Sequence, residues 1–350
     1  MKQIAVIAGD GIGVDVTREA VKILEVLQKT YGLQIELTHF DWDADRYLTT
    51  GETLPVGALD MFRNEYAAIF IGAYGDPRVP DMKHAADILL GIRFGLDLYI
   101  NLRPVKLFDE RLTPLKGRTI KDIDMVVFRE NTEGAYVGAG GFLKKGTADE
   151  IAIQEDINTR KGVERIIVAA FEYARKHGRK RVTMSDKSNV MNYAHNLWQR
   201  VHKEVSARYP DIESNHMFVD ALTMSMVLKP QEYDVIVTNN MFGDIVTDLG
   251  AALQGGLGMA ASGNIHPGQV SMFEPVHGSA PKYAGKNVAN PFGAILTVGM
   301  MLDYIGFGEA ALAVENAVIA CVKASETTSD IGGNMGTTEV GTAVLHRLES

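Results

Sequence analysis

The sequence holds one cysteine, Cys321, in 350 residues. No disulfide can form within the chain, which excludes the stapled framework of a small secreted domain. Cys321 lies in an apolar stretch and reads as a small core side chain. A cytoplasmic, reducing location is the expectation. No run of about 18 apolar residues occurs, so no transmembrane helix is expected. The opening MKQIAVIAGDGIG reaches Asp10 after a short apolar run and reads as a first β-strand rather than a signal peptide. Basic charge is also short, with 35 Lys and Arg against 44 Asp and Glu and a net charge of −9. A nucleic-acid surface normally needs a basic footprint. The runs Lys144-Lys145 and Arg179-Lys180-Arg181 read as solvated turns, and neither a nucleic acid nor a membrane is expected as partner. Repeats, low-complexity tracts and a Pro/Ser linker are absent too.

The apolar fraction of 46% and charged fraction of 23% belong to a globular protein. The length exceeds what one hydrophobic core usually supports, so two lobes are expected. Without a linker between them, a discontinuous arrangement is expected, the middle of the chain being inserted into a lobe made of both ends. Residues 4–8 read as a strand, the segment ending at Gly32 as an amphipathic helix, 35–40 as an alternating strand and 67–73 as a strand buried on both faces. This βαβ opening predicts a largely parallel α/β sheet. Further strands are predicted at 125–129, 181–185, 217–220 and 235–238, with a strand or arm at 151–156. Helices are predicted at 159–177, 191–208, 244–253, 294–305 and 309–324.

The turn Gly9-Asp10-Gly11-Ile12-Gly13 follows a strand and opens a helix, which invites a dinucleotide fingerprint. The third glycine of that fingerprint would stand at position 14, where the chain has Val14, and no acid ends a strand some 20 residues on. A tight turn approached closely by other backbone is the better reading. Three other patterns carry chemistry. Asp244 and Asp248 are four apart after an apolar strand and share a helix face, and Asp220 ends the apolar run MFVD. Such all-oxygen donors suit Mg2+ or Mn2+, although acids near a helix N-terminus also favour the dipole without any metal. Arg93, Arg103 and Arg129 stand in apolar or turn contexts, where a forked guanidinium needs a carboxylate, from a substrate or from a salt bridge. Tyr136 and Lys187 lie in polar motifs after strands, and both types can move protons.

Together the segments AGDGIGVDV, INLRP, FRENTEGAY, MSDKSNV, FVDALTM, NNMFGDIVTDL and FEPVHGSAPKYAGKNVANP resemble the β-decarboxylating dehydrogenase family of isopropylmalate, isocitrate, homoisocitrate and tartrate/D-malate dehydrogenases. The match spans nearly the whole chain. It implies an α/β, two-lobed, non-Rossmann fold with a discontinuous first domain. Residues 1–99 plus 255–350 would form the cofactor-binding lobe, and 100–254 the substrate, metal and dimerisation lobe. By position, Arg93, Arg103 and Arg129 would clamp the malate carboxylates, and Tyr136 and Lys187 would handle protons. Asp220, Asp244 and Asp248 would hold Mg2+ or Mn2+, Asp220 also touching substrate. The partner of a homodimer would supply Lys187 and Asp220. NAD, or NADP, would lie along Gly72, Ala73 and Gly75 and the loop of His277, Gly278, Ser279, Ala280, Lys282, Tyr283 and Asn290.

The resemblance further implies metal- and NAD-dependent oxidative decarboxylation of 3-isopropylmalate to 4-methyl-2-oxopentanoate and CO2, a step of leucine biosynthesis. Leu89, Leu90 and Val190 would face the isopropyl group, and no Ser or Asn between 86 and 95 offers itself to the extra carboxylate of isocitrate. Isopropylmalate enzymes usually carry Glu where Ala86 stands. FDW, Tyr47, GDPRVPD and NLRPV instead resemble tartrate/D-malate enzymes, and Lys282-Tyr283 follows the pattern of NADP-dependent isocitrate enzymes. A non-catalytic regulatory relative would usually have lost metal or proton-transfer residues; here all are present.

Overall fold

A computed structural model describes residues 1–349. The fold is α/β. The chain forms two compact units, the first made of Met1–Leu98, Arg103–Ile123 and the chain from Ala251 onward, the second of Tyr99–Leu102 and Asp124–Gly250. The first unit opens with β1 (Lys2–Ile7), α1 (Ile12–Thr30), β2 (Ile35–Phe40), α2 (Ala44–Thr50), α3 (Ala58–Glu65), β3 (Ala68–Ile71) and α4 (Lys83–Gly95). Strand β4 (Ile100–Lys106) passes from the second unit into the first. The second unit continues with β5 (Asp124–Glu130), β6 (Gly140–Leu143), β7 (Ile151–Gln154), α5 (Arg160–Lys176), β8 (Arg181–Asp186), α6 (Ala194–Ser206), β9 (Glu213–Phe218), α7 (Val219–Leu228) and β10 (Val235–Thr238). Helix α8 (Asn240–Gln254) leads back to the first unit, which closes with β11 (Ala261–Ile265), β12 (Ser271–Pro275), α9 (Phe292–Tyr304), α10 (Gly308–Lys323) and α11 (Thr337–Glu349). Among the described residues no helix is long and apolar enough to cross a membrane.

In the first unit the strands run β2-β1-β3-β12-β11. β1 is parallel to β2 and β3, β12 is parallel to β3, and β11 turns antiparallel onto β12. The run AIFI of β3 is buried at every position, as expected of a strand covered on both faces. Removing a side chain such as Phe70 from water contributes roughly 1.5–3 kcal/mol. In the second unit the order β5-β10-β8-β9 is parallel throughout, with Thr238 beside Arg129 on one side and Ser185 on the other, and Asp186 beside Phe218. The carboxyl ends of all four strands therefore point the same way, the end at which open parallel sheets place their functional loops. Thr159 caps α5, its hydroxyl accepting from the Gly162 amide at 3.0 Å.

The structure corrects three boundaries. Strand β9 ends at Phe218, so Asp220 lies in the first turn of α7 and not at a strand end. Helix α6 starts at Ala194, because the amides of Val190 and Met191 turn back onto the carbonyl of Lys187. Helix α8 starts at Asn240, with Asn239 accepting from the Phe242 amide at 2.8 Å. Asp244 and Asp248 thus stand in its second and third turns, where the helix dipole explains them less well.

His202 of α6 is buried against Ser214, with its Nε2 2.7 Å from the hydroxyl. Burial first, and the neighbouring His216 second, push its pKa down to about 4. The folded state keeps this ring neutral, whereas the unfolded chain binds a proton at the ordinary histidine value. Stability is therefore full above about pH 6.5 and is lost as pH falls towards 4, by about 3 kcal/mol from this ring. His195 and His277 are shifted down by burial as well and add to the same trend. The Tm of the wild type is expected to fall more steeply below about pH 6.5 than that of His202→Gln, as differential scanning calorimetry across pH would show.

Candidate functional site

Arg129 is the last residue but one of β5, and it is buried to 2% exposure. A buried guanidinium needs partners. Its Nε donates to the Asn240 Oδ1 at 2.9 Å, and its Nη1 donates to the Asp244 Oδ1. Its aliphatic stem runs over Gly243, where an added Cβ would meet the Arg129 Cγ at 2.5 Å. Glycine at this position is what lets the arginine lie against α8. Tyr136, in the short turn Ala135–Val137, donates its hydroxyl to the other oxygen of Asp244 at 3.0 Å. The guanidinium stands 5.1 Å from the centre of the Tyr136 ring. Burial raises the Tyr136 pKa, Arg129 opposes the shift and Asp244 adds to it. Arg129, Tyr136 and Asp244 thus form one cluster, and the structure adds Asn240, which sequence reasoning missed although it stands inside NNMFGD.

A second group lies after β8 and β9. The Lys187 Nζ is 2.6 Å from the Asp220 Oδ1, and this pairing lowers the Asp220 pKa. The Lys187 backbone amide donates to the Nδ1 of buried His195 at 2.7 Å. Val190, after Lys187, is 65% exposed. Asp248, one turn after Asp244 on α8, is exposed as well. The donor set of Asp244 and Asp248 is hard carboxylate oxygen and fits a divalent cation of the Mg2+ or Mn2+ type. Among the described residues, no group of three His, Cys, Asp or Glu side chains is gathered for a metal within the chain. Asp220 therefore does not complete the set with the two α8 acids of the same chain.

The first unit carries the remaining predicted residues. Arg93 lies in the last turn of α4, largely buried, with its Nη2 3.4 Å from the Glu274 Oε1. Arg103 is half-buried in β4. On α4, Leu90 is half-buried, while Leu89 packs against the core cluster that contains Trp42, Phe62 and Ile92.

The candidate cofactor loops are bound together by backbone. The Asp10 amide donates to the Ala73 carbonyl and the Ile12 amide to the Ser279 carbonyl, each at 2.7 Å, and the Ser279 hydroxyl donates to the Gly75 carbonyl at 2.6 Å. A Cβ on Gly9 would meet the Ala73 oxygen at 2.2 Å, and one on Gly11 the Ser279 oxygen at 2.2 Å. The glycines of the first turn serve this close approach, and both have positive φ. Beside them an open cavity of about 500 Å3 is lined by Gly11, Asp76, Arg78, Pro281 and Gly285. His277 is 9% exposed and its buried Nε2 has no hydrogen-bond partner, an orphan that fits a polar ligand atom. Asn290 is buried, donating to Asp330 at 3.0 Å and accepting from the Phe292 amide at 3.0 Å. Lys282 and Tyr283 are exposed in a single helical turn, with the Lys282 Nζ 4.7 Å above the Tyr283 ring.

Comparison with known proteins bears on the chain as a whole. A family profile described as isocitrate/isopropylmalate dehydrogenase matches residues 3–344. A 3-isopropylmalate dehydrogenase of Corynebacterium jeikeium (strain K411) is 48% identical over 350 residues, 99% of this chain and 100% of that protein. One from Thermobifida fusca (strain YX) is 46% identical over 348 residues, covering 99% and 97%. The crystal structure of isocitrate dehydrogenase from Methylococcus capsulatus superposes with a TM-score of 0.90 at 37% identity, with all of both chains covered.

Proposed function

The chain belongs to the isocitrate/isopropylmalate dehydrogenase family, and on that premise we propose that it oxidatively decarboxylates 3-isopropylmalate to 4-methyl-2-oxopentanoate and CO2, as in leucine biosynthesis. The observation that carries this reading is end-to-end identity of 46–48% with relatives named for that activity. The α4 segment agrees with it, since residues 86–95 contain no Ser or Asn to receive a third carboxylate.

Arg93, Arg103 and Arg129 are assigned to the substrate carboxylates, where planar bidentate pairing favours arginine over lysine. Asp244 and Asp248, with Asp220 of a second copy, would hold Mg2+ or Mn2+. When bound, the cation would supply Lewis-acid polarisation of the substrate oxygens and NAD would supply the hydride acceptor. Lys187, from the same second copy as its partner Asp220, relays the proton leaving the C2 hydroxyl. Loss of CO2 leaves electron density at C3, and the Tyr136 hydroxyl delivers the proton there. Asp244 orients that hydroxyl, and Arg129 fixes Asp244.

Two readings compete on specific observations. Leu89 is engaged with the first-unit core, which leaves Leu90 with a larger share of any apolar wall and favours a smaller acid such as D-malate. Lys282 offers an exposed cation beside Tyr283, which would suit the 2′-phosphate of NADP. A panel of 3-isopropylmalate, D-malate, tartrate and isocitrate, each with NAD and NADP, decides. The highest kcat/KM is expected for 3-isopropylmalate with NAD. D-malate ahead by more than about tenfold would overturn the substrate assignment.

A homodimer is part of the proposal. Met224 (62% exposed) and Leu228 (58%) on α7, Ile245 (55%) on α8, and Phe142 (57%) on β6 are large apolar side chains left open on the second unit. Large apolar side chains exposed to this degree suit burial against a second copy. Leu228→Glu is expected to turn a dimer into a monomer in light scattering, with loss of most activity. A wild type that is monomeric would contradict the assignment. A cytoplasmic location is proposed with it, and the one cysteine is buried.

A further inference from the structure

Asp10 sits in the first glycine turn, between Gly9 and Gly11, and it is 5% exposed. Its carboxylate gathers three separate segments. Oδ1 accepts from the Ala44 amide at the start of α2, at 2.8 Å. Oδ2 accepts from the Gly75 amide at 2.8 Å and from the Nε2 of His84 at 2.7 Å. His84 lies in the first turn of α4 and is fully buried, 0% exposed. Because a carboxylate oxygen only accepts, the hydrogen is on Nε2; Nδ1 is buried with no hydrogen-bond partner. Tyr47 stacks on the imidazole, with ring centres 5.9 Å apart and planes 18° apart. Met82, which precedes α4, is in the left-handed conformation and caps nothing, and the Asp81 carboxylate accepts from the Lys83 amide at 3.1 Å. The imidazole is thus a buried polar tie from the start of α4 to Asp10, beside the half-exposed bond of the Thr53 hydroxyl to Asp87 at 3.1 Å.

The Gly75 peptide is held on both sides, its amide by Asp10 and its carbonyl by the Ser279 hydroxyl at 2.6 Å. One carboxylate thus joins the loop of residues 72–75 to the helix that carries Leu89, Leu90 and Arg93. We propose that His84 is a positioning residue that sets the dinucleotide loop and the substrate-reading helix in one register, so that cofactor affinity and discrimination of the acid's side group change together when it is lost. The inference rests on the cofactor and substrate assignments above, and it concerns a buried residue assigned to neither ligand.

The test compares His84→Met, which fills the space without a donor, with His84→Gln, whose amide nitrogen reaches about where Nε2 lies. NADH and NADPH affinities are read by fluorescence titration without substrate, and KM and kcat are read for 3-isopropylmalate and D-malate. In His84→Met the nucleotide Kd and the KM for 3-isopropylmalate are each expected to rise about tenfold, with kcat within about threefold and the preference between the two acids narrowed. His84→Gln is expected to recover both constants. Should His84→Met not fold, His84→Asn, polar but too short to reach Asp10, takes its place with the same expected direction. Because the titration uses no acid, it reports on His84 even if 3-isopropylmalate is not the substrate. A folded variant with lowered Tm but unchanged Kd and KM would overturn the proposal, as would a change in only one of the two constants or failure of glutamine to restore them.

Discussion

Replacing Asp244 with Asn will lower kcat/KM on the order of a thousandfold while the fold survives. The side chain keeps its shape, and one oxygen can still accept from Arg129. What is lost is charge at a node. Asp244 balances the buried guanidinium on one oxygen and accepts the Tyr136 hydroxyl on the other. It also stands one turn from Asp248 on the same face of α8. Asparagine cannot supply the negative ligand that a hard divalent cation prefers. Mn2+ affinity, read by titration calorimetry in the presence of substrate, should fall with activity. Far-UV circular dichroism should not change. A modest fall in Tm is expected, because Arg129 remains tied to Asn240 but loses its counter-charge. Activity within threefold of wild type would remove Asp244 from the site.

Tyr136→Phe separates proton transfer from binding. The phenyl ring can stay beside Arg129, at the 5.1 Å spacing of the native ring, and only the hydroxyl goes. General-acid assistance is worth roughly 10²–10⁴-fold, and kcat should fall by on the order of 10²–10³. KM and nucleotide affinity should change little, since the arginines proposed for the carboxylates are untouched. Burial holds the hydroxyl in its protonated, donating form at neutral pH. Unchanged turnover would show that the proton comes from elsewhere. A rise in KM with constant kcat would make Tyr136 a binding residue instead.

The parts of this site written in contiguous sequence were the legible ones. The strand 235–238 was read at its observed limits, because an apolar run bounded by polar residues leaves little choice. The pairing of Asp244 with Asp248 followed from helical spacing alone. Asp220 was misread because Met217-Phe218-Val219 is as apolar as a strand, whereas the backbone turns helical at Val219. The antiparallel pair β11 and β12 went unread beneath a glycine-rich stretch, and α2 and α3 are too short to show periodicity. Asp10 and His84 are 74 positions apart, and nothing local in either segment names the other. The first glycine turn shows the same limit. Its departure from a dinucleotide fingerprint was visible, but the two carbonyls that press on it come from residues 73 and 279.

The central claim is that this chain couples hydride removal to loss of CO2 from 3-isopropylmalate. The most direct measurement follows both products in one reaction, with NAD, Mg2+ and 3-isopropylmalate labelled at the carboxyl group to be lost. The account predicts one NADH for each labelled CO2, with Tyr136→Phe slowing completion of the reaction. NADH formed without labelled CO2, or neither product from this acid, would contradict it.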